Sequence, residues 1–129
     1  MPDLTFDIWQ FVRLMVQLES APKENKGQGS LFETWRDIWE SVDQDLTGLY
    51  ETDFDTYANM MMNETITMAE VSPSHAGEAV EALGSLITTI DDTIKASKKE
   101  PEPDPDHIDN LTFERGELKE LCEKLRELA

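Results

Sequence analysis

The sequence predicts an all-α fold: a four-helix-bundle-like single domain with an additional C-terminal helix after a Pro-rich hinge. Three observations predict it. Apolar residues recur at alternating three- and four-residue intervals in four separate stretches, the spacing of a helix seam. No stretch of any length shows the apolar/polar alternation of a half-buried strand. The 129 residues, with three Trp and five Phe to anchor packing, suffice for one core. The expected division is an acidic helical bundle over residues 1–97, a hinge over 98–106 and a C-terminal helix over 107–129.

The first helix is expected from about Asp3 to Glu19. Leu4, Ile8, Phe11, Met15 and Leu18 form one face, and Trp9, Val12 and Val16 widen it. Such a helix is buried on two sides or offers a second face to a partner. Residues 20–29 (SAPKENKGQG) read as a polar linker. Ser30-Leu31-Phe32-Glu33 fits a capping box that starts the second helix. Phe32, Trp35, Trp39, Val42, Leu46 and Leu49 then follow seam spacing, with Gly48 as the expected end.

Thr52 or Asp53 is placed to cap a third helix from Phe54 to about Val71. Three of its methionines, Met60 to Met62, are consecutive and span about 200° of helix arc, too much for one buried stripe. Ser72-Pro73, an N-cap followed by Pro at the first helical position, opens a fourth helix with Ala76, Val80, Leu83, Ile87, Ile90 and Ile94 as its seam. The hinge, 98–106 (KKEPEPDPD), is rich in Pro and charge. The last helix, from about Ile108 to Leu128, carries Leu118, Leu121, Leu125 and Leu128 and an i, i+4 pair of Glu120 with Lys124, and Gly116 is a candidate break. Its leucine row must be covered by its own chain or by a second copy, which leaves a homodimer open.

Charge dominates the functional reading. The chain holds 28 Asp+Glu against 11 Lys+Arg, a formal net charge of −17. From Leu31 to Thr56 there are eight acids and one base, Arg36. Such a surface repels nucleic acid and anionic membrane and attracts basic partners. The expected role is therefore a non-enzymatic module that binds a basic protein through Glu33, Asp37, Glu40, Asp43 and Asp45. One version is a DNA mimic of the phage or mobile-element inhibitor type, whose carboxylates occupy the groove of a nucleic-acid-binding protein and so inhibit it. The alternative is an accessory or immunity-type subunit that binds through an apolar helix face. The two differ in a visible feature: a mimic shows paired acid rows, an accessory subunit an exposed apolar patch.

Other chemistries find little in the residues. Asp43 to Phe54 resembles the first half of an EF-hand calcium loop, with oxygens at positions 1, 3 and 5, Gly48 at 6 and an acid at 9. Phe54 stands where the bidentate Glu belongs, so no tight calcium site is expected, and weak calcium binding is the further alternative. His75 and His107 lack the Glu-x-x-His pairing of bundle metal centres, so no metal and no cofactor are expected. Cys122 beside Leu118, Leu121 and Leu125 reads as a small buried thiol. No Gly-x-Ser-x-Gly or phosphate-cradling loop is present. The glycosylation-like Asn63-Glu64-Thr65 and Asn110-Leu111-Thr112 are read as chance. One cysteine, no basic leader and no long apolar run point to the cytoplasm.

Overall fold

The computed structural model describes residues 3–20 and 30–128. They are mostly helical, with one small sheet: β1 (Leu4–Asp7), α1 (Ile8–Ser20), α2 (Ser30–Thr52), α3 (Phe54–Asn63), β2 (Thr65–Met68), α4 (Pro73–Lys98) and α5 (Pro105–Leu128). No helix among the described residues is long and apolar enough to cross a membrane. The linker over residues 20–29 lies, beyond Ser20, outside the described residues.

The strands correct two expectations at once. The first helix does not begin at Asp3, and the third does not run on to Val71. β1 and β2 pair antiparallel, Leu4 opposite Met68 and Asp7 opposite Thr65. Leu4, Phe6 and Met68 point into the core, while Thr5 and Thr67 share a 2.7 Å hydroxyl hydrogen bond on the exposed face. β-branched Thr65, Ile66 and Thr67 suit this pleated, half-buried surface better than a helix. The Ile8 amide extends the ladder to the Glu64 carbonyl at 3.0 Å. The switch from strand to helix is local chemistry. Asp7 stands at the N-cap of α1, and Gln10, three residues on, accepts the Asp7 amide at 2.9 Å, one half of a capping box.

α2 runs through Gly48 instead of ending there. The Thr52 hydroxyl donates to the Gly48 carbonyl, and the Asp53 amide to Leu49 at 2.7 Å. A full-length seam outweighs the roughly 1 kcal/mol that an interior Gly costs relative to Ala. At its start, the Glu33 carboxylate is bonded by Arg36 at 2.6 Å, and the Ser30 side chain of the expected capping box lies outside the described residues. The Leu31 amide is met by Glu78 of α4 at 2.9 Å, a carboxylate at a helix N-terminus. Asp53 caps α3, accepting from the Thr56 amide and hydroxyl at 3.2 and 2.6 Å.

α4 begins as expected, with Ser72 Oγ accepting from the His75 amide and Pro73 in the first turn. The same grammar opens α5 earlier than expected. Asp104 accepts from the Asp106 and His107 amides, with Pro105 in between, so the connection spans only residues 99–104. Gly116 does not break α5. The helix packs back along α4 in an antiparallel hairpin, tied by Arg115 to Asp91 at 2.8 Å. Leu118, Leu121, Cys122 and Leu125 are buried there.

One core joins these elements. At its centre Phe6, Phe11, Trp35 and Trp39 stack in tilted and edge-on pairs, with centroids 5.7 to 6.3 Å apart. Such pairs contribute about 0.5–1.5 kcal/mol each beyond their buried area. α1 lies against α2, α3 and α4. Towards α5 it is bridged by polar groups. Buried Gln10 donates to the Glu117 carbonyl at 3.2 Å, and Arg13 pairs with Glu114 at 2.7 Å.

Candidate interaction surface

Glu33, Asp37, Glu40, Asp43 and Asp45 are all exposed. Helical geometry divides them. Glu33, Asp37 and Glu40 lie within about 60° of one another, facing away from the buried Trp35, Trp39, Val42 and Leu46. Because α2 continues past Gly48, Glu51 returns to that same outer face. Asp43 falls roughly 80° to one side of Glu33 and Asp45 roughly 120° to the other. The five therefore do not form one row extending towards a loop; Asp43 and Asp45 flank opposite edges of the helix. Arg36, over the Phe32 ring, is bonded to Glu33.

The calcium-like stretch is also recast. Residues 43 to 52 are helical, so the oxygens at the first, third and fifth positions radiate from a helix instead of converging from a loop. Among the described residues no group of three or more His, Cys, Asp or Glu is placed to hold a metal ion. Cys122 is buried in the core.

The surface carries a second feature, which begins on α1. Its Phe11, Leu14, Met15 and Leu18 are in the core, and Trp9, Val12 and Val16 form another stripe alongside. That stripe floors an open groove of about 580 Å³. Met61 and Met62 of α3 form one wall, and Asn110 and Phe113 of α5 the other. The Arg13–Glu114 pair sits between floor and wall. Val16, Met62 and Phe113 are 47%, 56% and 54% exposed.

A smaller hollow of about 210 Å³ continues the groove, sharing Val12 and Met61 and adding Tyr50, Tyr57 and Asp43. Tyr50, Phe54 and Tyr57 stack on one another with centroids 5.3 to 5.7 Å apart, across the joint between α2 and α3. Tyr50 and Phe54 remain more than half exposed. An apolar band thus runs from the aromatic trio to Phe113.

Part of this surface was readable in advance. Trp9, Val12 and Val16 were marked by their excess over one stripe. Met60 and Met61 are half-buried and Met62 exposed, whereas Met68 is in the core on β2. The leucine row of α5, the other apolar candidate, is covered by this chain. Tyr50, Phe54 and Phe113 were missed. The first two stand four residues apart, with Tyr57 three further on. Phe113 falls roughly 100° from the centre of the leucine row, which sets it off the buried face. No family model, curated protein or solved structure matches the chain.

Proposed function

We propose that this protein is a non-enzymatic interaction module that binds a basic protein partner through its acidic helical surface, in the cytoplasm. The observation that supports it most is the outer face of α2. Glu33, Asp37, Glu40 and Glu51 stand opposite the core on a rigid helix, and the one base of that stretch, Arg36, is already bonded to Glu33. In this reading α1, α2, α3 and α4 act as the four-helix-bundle-like support, with α5 as the additional C-terminal helix. Carboxylates on such a face steer a cationic partner and raise its rate of encounter.

Between the two versions of this role, the apolar band favours the accessory or immunity-type subunit. A mimic needs a long acid row, and the divergence of Asp43 from Asp45 interrupts it. Exposed apolar surface beside charge is the pattern of an interface with a core and a polar rim.

The test is affinity capture from the native host, mass spectrometry of the retained protein, and stopped-flow association with that protein once purified. The expected partner is basic. Its association slows steeply between about 50 and 500 mM salt, and slows again for the Asp37→Lys/Glu40→Lys variant. Competition by duplex DNA separates the versions: displacement supports the mimic, simultaneous binding the accessory subunit. A partner of neutral or acidic character, with a rate indifferent to salt and to the charge reversal, would mean that the acidity serves solvation alone.

A further inference from the structure

We infer that the groove between α1, α3 and α5 is the seat of an amphipathic, cationic helix supplied by the partner protein. This rests on the reading of the protein as a module for basic partners and names the element that it grips. The floor is a helix stripe, with Trp9, Val12 and Val16 at i, i+3 and i+7, and both walls are helix faces. A groove between helix faces accepts the ridge of another helix, whose apolar side chains enter at i, i+3, i+4 and i+7. The methionine wall adapts to the shape of the inserted side chains, because the thioether chain is unbranched and readily changes rotamer.

The charge around the groove selects the sign of the occupant. Asp106 and Asp109 precede Phe113 by seven and four residues, so both lie along the groove-facing side of α5, and both are exposed. Asp43 stands in the adjoining hollow. The base within the groove, Arg13, is engaged by Glu114 at 2.7 Å. A helix with an apolar stripe flanked by Lys or Arg satisfies floor and rim together. A second copy of this chain does not fit, since it would bring another formal charge of −17 against the same acidic rim.

The experiment uses the intact protein and two synthetic peptides of about 18 residues, long enough to hold a helix. Both consist of Leu and Lys in equal composition. One places Leu at helical stripe positions, and the other disperses them. Binding is followed by calorimetry, with Val16→Gln/Phe113→Gln as the groove variant and Asp37→Lys/Glu40→Lys as the α2 variant. Val16 and Phe113 are about half exposed, and circular-dichroism melts verify that the variants fold.

The expected result is preferential binding of the striped peptide, weakened roughly ten-fold or more by the groove variant, as for loss of interface anchors, and much less by the α2 variant. Equal binding of both peptides, or no loss with the groove variant, overturns the inference but leaves the acidic-face reading standing, since charge alone then suffices. Failure of the striped peptide to bind at about 100 μM, a contact worth less than roughly 5.5 kcal/mol, also overturns it. So does self-association through the groove, or capture there of an apolar small molecule in place of the peptide. The acidic-face reading itself falls only on the capture and stopped-flow experiment, so the two failures are separable.

Discussion

Trp35 is nearly enclosed and touches Phe6 and Phe11 ring to ring, whereas Glu40 stands in solvent on the opposite side of the same helix. Trp35→Ala is expected to cost on the order of 3–5 kcal/mol and Glu40→Ala less than about 0.5, as read from midpoints of chemical denaturation. Gln10 carries a different burden. Its carbonyl caps the start of α1 and its amide reaches Glu117 of α5. Gln10→Ala removes both bonds, the cap on the Asp7 amide included, a loss of about 1–2 kcal/mol in the same measurement. Asp91 links charge to pH. The hydrogen bond from Arg115, aided by the nearby charges of Arg115, Lys119 and Lys95, holds its carboxyl below the ordinary 3.8 against the opposing effect of burial. A lowered native value means that the unfolded chain binds more protons, so this contribution is present above pH 3.8 and disappears as pH falls through the native value. Asp91→Asn is therefore expected to lower stability near about pH 7, by an amount that shrinks as pH falls below 3.8. The pair is one-third exposed, so the effect is small.

At the level of elements, α2 and α5 each contain a glycine that neither turns the chain nor makes room for a neighbour. A Cβ at Gly48 or Gly116 meets open space. Gly48→Ala and Gly116→Ala are each expected to stabilise by about 0.5–1 kcal/mol, seen as a raised melting temperature, because Ala restricts the unfolded chain and favours helix. The same glycines explain part of what the sequence concealed. Reading Gly48 as a stop assumed that local propensity decides a helix end, yet the apolar seam from Leu31 to Leu46 continued to hold the helix. α4 was legible in its start and most of its apolar row, because its cap, its proline and that row agree, but Ala79 and Leu86 fill the core where Val80 and Ile87, which are half-buried, were expected. β1 and β2 were not. Leu4 and Ile8 fit a helical row as well as Leu4 and Phe6 fit a strand, and four residues are too few for either period to win alone. The signals that separated strand from helix were Asp7-x-x-Gln10, a capping pair, and Thr65-Ile66-Thr67, a β-branched run. The start of α5 was hidden by its composition: Asp104-Pro105 repeats the logic of Ser72-Pro73 inside a stretch whose prolines and charges resemble a linker. The outer acids of α2 were visible from residue types alone. The groove was not, because it depends on how α1, α3 and α5 lie together, nor was the aromatic trio, which depends on the joint between α2 and α3.

For the whole molecule, the excess of acids must weaken the folded state it decorates. A net charge of −17 concentrates like charges when the chain becomes compact. Raising salt from about 10 mM to about 300 mM shortens the screening length from roughly 30 Å to well under 10 Å, so the melting temperature is expected to rise over that range. Retaining such a surface despite this cost is consistent with a surface that works through charge. The proposed interaction then has two parts: outer acids that guide a basic partner, and an apolar groove that holds it. The most direct test is amide chemical-shift mapping by NMR on the folded protein, titrated with the Leu/Lys striped peptide at moderate salt. The largest shifts are expected at Val12, Arg13 and Val16 of α1, Met61 and Met62 of α3, and Phe113 of α5, with lesser, salt-sensitive shifts along Glu33, Asp37 and Glu40. Shifts confined to the acidic face, or gathered on a surface away from the groove, would rule out the groove as the seat of the partner.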